Sequence, residues 1–158
     1  MSEPSIRMVT EERLLREAWG WQTEAPRWFR ESQEAEAETL ERFLETAPDR
    51  LFYGIFEDEE LKALIRLEPF RGRIFGIDLF ARRDLSLEVL TSSGLSIKCF
   101  LYDRGVANGF FGWIPRFNRG IVKLYRNLGF APCGIRCFKG RTHGKAVEWW
   151  LMTNKKDV

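Results

Sequence analysis

Cysteine is scarce in this chain. Cys99, Cys133 and Cys137 make an odd count in 158 residues, so the disulfide framework of small secreted domains is not expected. Histidine is scarcer still, with His143 alone. A zinc site built from Cys133, Cys137 and His143 would need a fourth ligand or a water, and free thiols in or beside a strand are the simpler expectation. No metal is therefore implied. No apolar run approaches the length that crosses a bilayer. The opening stretch, Met1 to Arg13, is acidic and polar and has no apolar signal core, so a cytoplasmic protein without membrane contact is expected. Internal repeats, low-complexity tracts and linkers are also missing. A single domain spanning 1–158 follows, since this length supports one core and is short for two.

What the chain does have is apolar and aromatic mass. Hydrophobic residues make up 44% and aromatics 14%, including 13 Phe and 6 Trp. Disorder is thereby excluded as the default, and large side chains are expected to fill a core or line a pocket. Charge is divided unevenly. Residues 1–60 carry 7 Lys+Arg against 16 Asp+Glu, and residues 61–158 carry 18 against 7. A basic C-terminal part suits an anionic ligand such as a phosphate-bearing cofactor, unless the acidic helices simply balance it. Arg116, Arg119, Lys123 and Arg126 cluster near one helix, and Arg136, Lys139, Arg141 and Lys145 follow. They are spread over several elements without a groove-reading motif, so nucleic acid is not the expected partner.

Periodicity gives the elements. Ser5 to Val9 alternates as a first strand, and Thr10 is placed to cap a helix from Glu11 to about Gly20. An aromatic connector with Trp21, Pro26, Trp28 and Phe29 leads to a second helix at about Gln33–Thr46, whose stripe is Leu40, Phe43 and Leu44. Leu51–Phe56 is apolar on both faces, as a buried strand is. A charged turn at Glu57–Glu60 returns the chain along Leu61, Ala63, Ile65 and Leu67. Pro69–Gly72 turns it again into a strand at Arg73–Phe80. Leu87, Leu90, Gly94, Ile97 and Leu101 mark one face of a long helix ending at Gly105, with Gly94 a weak point in its middle. Ala107–Ile114 is a strand. Asn118 opens a helix with Ile121, Leu124, Tyr125 and Leu128 on one face, closed by Gly129. Cys133–Lys139 and Ala146–Met152 form a last pair around Gly140–Gly144. The order is β-α-α-β-β-β-α-β-α-β-β. It implies an α/β (α+β) domain with helices on both faces of a mixed, mostly antiparallel central sheet. The strands bracketing the long helix are expected to run parallel.

This order resembles that of the Gcn5-related N-acetyltransferase (GNAT) superfamily across nearly the whole chain. Residues carry the resemblance too. Asn118-Arg119-Gly120-Ile121-Val122-Lys123-Leu124-Tyr125-Arg126-Asn127-Leu128-Gly129-Phe130 is similar to the family's late helix, with its Asn, its Leu-Tyr and its Leu-Gly-Phe. Ile6-Arg7-Met8-Val9-Thr10 is similar to the family's common start.

The resemblance implies an enzyme in which a substrate amine attacks the thioester of acetyl-CoA directly. Tyr125 matches the family's general acid; its phenol, with an ordinary pKa near 10, suits a departing thiol. The alternative is that Tyr125 packs beneath the sheet with its hydroxyl bonded elsewhere. Asn118 matches the contact to the pantetheine arm, which is compatible with plain helix capping. Asp78 is the only acid of its strand and is the candidate general base. A carboxylate among Ile77, Leu79 and Phe80 needs a partner, and Arg73, Arg82 or Arg83 could supply one. Leu79 and Phe80, with Arg82, Arg83, Leu85 and Ser86, fall where the family binds the cofactor.

The match breaks at the pyrophosphate loop. The family places glycines there so that backbone N–H groups approach the phosphates. Here the segment reads Ala81-Arg82-Arg83-Asp84-Leu85-Ser86-Leu87-Glu88, with no glycine and two acids. Arg82 and Arg83 would have to supply side-chain contacts. A second reading is therefore open: a non-catalytic scaffold or interaction protein that keeps the fold. Divergent, glycine-poor relatives of this kind occur in bacteriophages, some beside virion-assembly genes. Its partner surface would be the acidic helix or the aromatic connector. The acceptor amine, whether small molecule or peptide, is not encoded in any motif.

Overall fold

Alternating apolar residues build a seven-stranded sheet in the computed structural model, which describes residues 3–21, 39–142 and 144–156. The strands are β1 (Ser5–Met8), β2 (Leu51–Glu57), β3 (Glu60–Arg71), β4 (Ile74–Ala81), β5 (Gly109–Pro115), β6 (Ala131–Thr142) and β7 (Lys145–Lys155). They lie in the order β1-β2-β3-β4-β5-β7-β6, and all neighbours are antiparallel except β4 and β5. The helices are α1 (Glu12–Gly20), α2 (Leu40–Thr46), α3 (Leu87–Asp103) and α4 (Arg119–Asn127). Among the described residues the element order read from the sequence is the observed one, and the crossover through α3 does join the parallel pair. No described helix is long and apolar enough to cross a membrane.

The sheet separates two cores. Phe52, Phe56, Leu64 and Phe80 face α1 and α2, where Phe43 is fully buried and meets Phe52 and Phe80 edge-on. Tyr53, Ile55, Ile65, Leu67 and Phe75 face the other way, onto Ile97 and Leu101 of α3 and Leu124 and Tyr125 of α4. Residues one apart on a strand thus enter different cores, which is why β2 reads as apolar on both faces.

Several local expectations are corrected. Thr10 does not cap α1; Glu11 holds the N-cap position, with no side-chain bond. Thr39 caps α2, accepting from the Arg42 N–H at 3.1 Å, and residues 33–38 of the expected helix lie outside the described residues. Pro69 belongs to β3, at a register irregularity, and the turn is made at Gly72 with φ of 59°. In the charged turn, Asp58 and Glu59 both take positive φ, the conformation a tight two-residue hairpin demands. β6 and β7 run past the expected Gly140–Gly144 turn, to Thr142 and from Lys145.

Gly94 is the meeting point of α3 and α4. A Cβ there would stand 2.8 Å from Leu128 Cδ2, so glycine permits the close approach of the two helices. The expected weak point is a packing requirement.

Candidate active site

β4 and β5 pair over only three residue pairs, Ile74 with Gly109, Phe75 with Phe110 and Gly76 with Phe111. Both strands continue beyond that point. β4 runs on to Ala81, held by β3 as far as Ala63, and β5 runs on to Pro115, held by β7. The sheet therefore forks between 77–81 and 112–115. On the facing sides of these two arms, backbone N–H and C=O groups have no ladder partner among the described residues. Such groups seek hydrogen bonds, so the fork suits an extended, amide-bearing ligand.

Two glycines shape the crotch. The Phe111 ring fills the space beside Gly76, 3.1 Å from where a Cβ would stand. A Cβ on Gly112 would stand 3.1 Å from Tyr125 Cε1 and 3.4 Å from both the Tyr125 hydroxyl and Ile77 Cγ2. The Tyr125 phenol thus lies over the point where the arms separate. α4 brings it there because Ile121, Leu124, Tyr125 and Leu128 form its sheet-facing stripe. Gly129, at φ 89°, then turns the chain so that the Phe130 N–H reaches the Tyr125 carbonyl and its ring packs edge-on to Tyr125 at 5.0 Å.

Tyr125 is only 4% exposed, and its hydroxyl makes no hydrogen bond among the described residues. Burial pushes its pKa far above the ordinary phenol value, and the negative charge of Asp78 adds to the shift. The hydroxyl is held protonated and available to donate. This differs from a purely structural tyrosine whose hydroxyl is already bonded.

Asp78 stands on the other face, one residue beyond Ile77. Its partner is Arg66, directly across from it on β3, and none of the three arginines expected from the sequence. Arg66 Nε and Nη2 both donate to Asp78 Oδ2, at 3.2 and 3.0 Å. The Arg66 side chain is 12% exposed, with its guanidinium over the Phe43 and Phe80 rings, whereas the Asp78 side chain is 48% exposed. The carboxylate is thus fixed on its strand yet open to solvent. The Tyr125 hydroxyl and the Asp78 carboxylate flank the fork from opposite faces of the sheet. Ile77, Gly112 and Arg66 were not singled out from the sequence. An arginine between Ile65 and Leu67, and a glycine inside an aromatic strand, were the available signals.

No protein-family model and no curated protein matches this sequence. Solved structures do match. A spermidine N-acetyltransferase chimera from Vibrio cholerae and hSSAT superposes with a TM-score of 0.74 at 14% identity, over 98% of this chain and 96% of that one. A GNAT-family acetyltransferase from Streptococcus pneumoniae gives 0.69 at 14% identity, over 97% and 99%. A Salmonella typhimurium protein solved with its cofactor acetyl-CoA gives 0.70 at 11% identity, over 99% and 95%. This is the Gcn5-related N-acetyltransferase fold.

The segment joining β4 to α3 is the one in which the sequence departs from the glycine-bearing loop that the resemblance implies. None of residues 82–86 has positive φ, so no anion-binding nest of backbone N–H groups forms there. Arg82 is bound to Glu60 and, through Nε at 3.2 Å, to Asp84. Lys62 completes the group, 2.9 Å from Asp84 and 3.6 Å from Glu60. Hydrogen bonding to Arg82 draws the Glu60 carboxyl below its usual range, and hydrogen bonding to Lys62 does the same for Asp84. Leu85 is buried in the α3 core, and Ser86 caps α3 by accepting from the Val89 N–H at 3.2 Å. Glu88 sits in the first turn. Arg83 is exposed on the turn before Leu85. Leu79 and Phe80 bury their side chains in opposite cores, so their part in the fork is limited to backbone.

Asn118 is the N-cap of α4, accepting from the Ile121 N–H at 3.2 Å. Of the aromatic connector, Trp19 and Trp21 pack against the α1–α2 core, and Pro26, Trp28 and Phe29 lie outside the described residues. Cys99 and Cys133 are exposed and Cys137 half-buried.

Proposed function

We propose that this chain is an N-acetyltransferase that moves an acetyl group from acetyl-CoA to an amine. The observation that carries the reading is the unpaired fork with the Tyr125 hydroxyl over its crotch. Two observations bear on whether the donor fits. The free backbone groups of the arms suit a pantetheine chain, whose two amides would replace the missing ladder. The Tyr125 hydroxyl, on a residue only 4% exposed and without a hydrogen bond among the described residues, is available to donate to an acceptor in the fork. The loop before α3, by contrast, lacks glycines and a backbone nest for a diphosphate, and Arg82 there is already paired with Glu60 and Asp84.

The thioester supplies an activated acyl carbon. Everything else falls to side chains and backbone. The arms align the donor so that its carbonyl is presented to the α1–α2 face. Asp78, held by Arg66, draws the incoming ammonium to that face and takes the proton that its nitrogen must lose, directly or through water. Tyr125 gives its proton to the departing thiolate, and the surrounding core keeps water away. Asn118 fixes the first turn of α4, and with it the height of Tyr125 over the fork. The acceptor is an amine; none of these residues selects among small amines and peptides.

Calorimetric titration with acetyl-CoA tests the reading. Saturable binding in the micromolar range is expected. No binding up to millimolar concentration would overturn it and leave a GNAT-fold scaffold without catalysis.

A further inference from the structure

Asp78 looks onto a sheet face that α1 and α2 cover only in part. Phe80, two residues farther along β4, is buried against the two helices. In the other direction lie Gly76 and Ile74, and there the cover ends: Ile74 is 41% exposed. A pocket of about 560 Å³ opens on this same face, between the starts of β4 and β5 and the end of β7. Its walls are Phe70, Ile74, Phe111, Trp113, Leu151 and Thr153. Such a volume and such an apolar lining are those of a small-molecule site. Phe70 is 70% exposed and Trp113 42%, so large aromatic surfaces stand uncovered among the described residues.

The pocket is continuous with the fork. Phe111 forms the last pair of the parallel ladder, with Gly76, and Trp113 lies on the β5 arm beyond it. The Phe111 ring leans over Gly76, which has no side chain to hold it off, and Phe70 meets that ring edge-on at 5.2 Å. Asp78 is two residues past Gly76 on the same face, about 7 Å along the strand. A ring seated beside Phe111 and Trp113 therefore places an amine on a short chain near the Asp78 carboxylate. Charge restricts the occupant further. The described lining includes Lys155 and Lys156 and no acid. Glu68, across from Gly76 on this face, is already held by Arg50 at 2.9 Å. A second cationic group on the acceptor would find no partner here, and the lysines would repel it.

We propose that this pocket selects the acceptor: a small monoamine whose body is an aromatic ring, seated against Phe70, Phe111 and Trp113, with its amine on a short chain that reaches Asp78. The inference rests on the acetyl-CoA reading given above and names the acceptor class for it. The neutral amine nitrogen bonds to the acetyl carbon as the thioester C–S bond breaks. The proton it sheds passes to Asp78, directly or through water, and the departing thiolate takes the proton of Tyr125. Polyamines are disfavoured by charge, and amines without an apolar body leave the pocket unfilled.

The test measures acetyl transfer from saturating acetyl-CoA, by thiol release, to phenethylamine, ethylamine and spermidine, with acetyl-CoA binding followed separately by calorimetry. Phenethylamine is expected to exceed both others in kcat/KM by about a hundredfold or more, the discrimination that several buried apolar carbons give. In Phe70→Ala/Trp113→Ala its preference over ethylamine is expected to fall by about tenfold or more, through KM, with acetyl-CoA affinity kept within about threefold. Both side chains are exposed, and an unchanged melting temperature confirms the fold of the variant. Thr153→Trp, which fills the pocket from β7, is expected to give the same loss of preference. If the wild type binds acetyl-CoA but acetylates ethylamine or spermidine as well as phenethylamine, or acetylates none of the three, the pocket does not select the acceptor, while binding of the donor stands. A preference for phenethylamine that survives both variants also overturns the proposal. If the wild type binds no acetyl-CoA, the acetyl-transfer reading and the proposal fall together. A dimer in sedimentation that dissociates in the double variant would assign the aromatic surface to a second copy of the chain and overturn the proposal.

Discussion

Replacing Tyr125 with phenylalanine separates a chemical role from a packing role. The ring keeps its edge-on contact with Phe130 and its place over Gly112, so the volume of the core is unchanged. Only an oxygen is lost, and that oxygen has no hydrogen-bond partner among the described residues. A fully buried polar group without a partner costs about 1–3 kcal/mol by mutational measures. The Tyr125 oxygen is not among the fully buried unpartnered atoms of the described residues, so only a small part of that cost applies. Tyr125→Phe is expected to be neutral or to stabilise the protein by up to about 1 kcal/mol, a rise of about 2–4 °C in melting temperature for a chain of this length. Acetyl-CoA affinity is expected to stay within about twofold. Turnover is expected to drop by about a hundredfold, the usual worth of a positioned proton donor. Thermal melts, calorimetry and a free-thiol release assay measure the three quantities. A loss of stability of 1 kcal/mol or more, with about tenfold weaker donor binding, would show that the hydroxyl is a structural bond or a binding group and would refute the argument.

Gly112→Ala places a methyl group 3.1 Å from Tyr125 Cε1. The phenol must move by a few tenths of an ångström, and steady-state kinetics should show kcat falling by about tenfold or more with a stability change of about 1 kcal/mol. Gly94→Val drives a branched side chain into Leu128 and is expected to cost about 1–3 kcal/mol in urea unfolding. Because their folded-state pKa values are lowered, Glu60 and Asp84 add stability above the unfolded carboxylate range near pH 4, and that contribution is lost as the pH falls. Urea unfolding between pH 3 and pH 7 should show this slope flattened in Glu60→Gln/Asp84→Asn and at high salt. Tyr125 acts in the opposite direction. Its raised value means that stability is lost as the pH climbs above the unfolded phenol value of about 10, and Tyr125→Phe should remove that loss.

Much of the fold was legible because each element carries its own period. The stripes of α3 and α4, the two-faced apolar run of β2 and the Gly129-Phe130 closure are local patterns that need no knowledge of neighbours. Tyr125 and Asn118 were legible because they belong to one such pattern. The fork was not. It is defined by where pairing stops between strands more than thirty residues apart, and the residues of an unpaired arm look the same as those of a paired one. The partner of Asp78 was missed for a related reason. Arg66 and Asp78 meet only through the register of the β3–β4 hairpin, and that register depends on a bulge near Pro69 that moves the turn to Gly72. The wrong cap of α1 reflects a finer competition: Thr10 has the better side chain, but Val9 is buried and hydrogen-bonded to Phe52, which leaves the next two residues to set the start of the helix.

The fork also has a mechanical meaning. β1 to β4 and β5 to β7 form two laddered plates, and in the sheet the plates meet through only three residue pairs, with one shared apolar core behind them. The line between Gly76 and Phe111 is thus a short seam between longer ladders. A ligand chain laid into the fork would bond to both plates and act as a clasp. Amide exchange along 77–81 and 112–115 would then slow together upon binding, and the strength of the whole sheet would depend on whether its seam is closed.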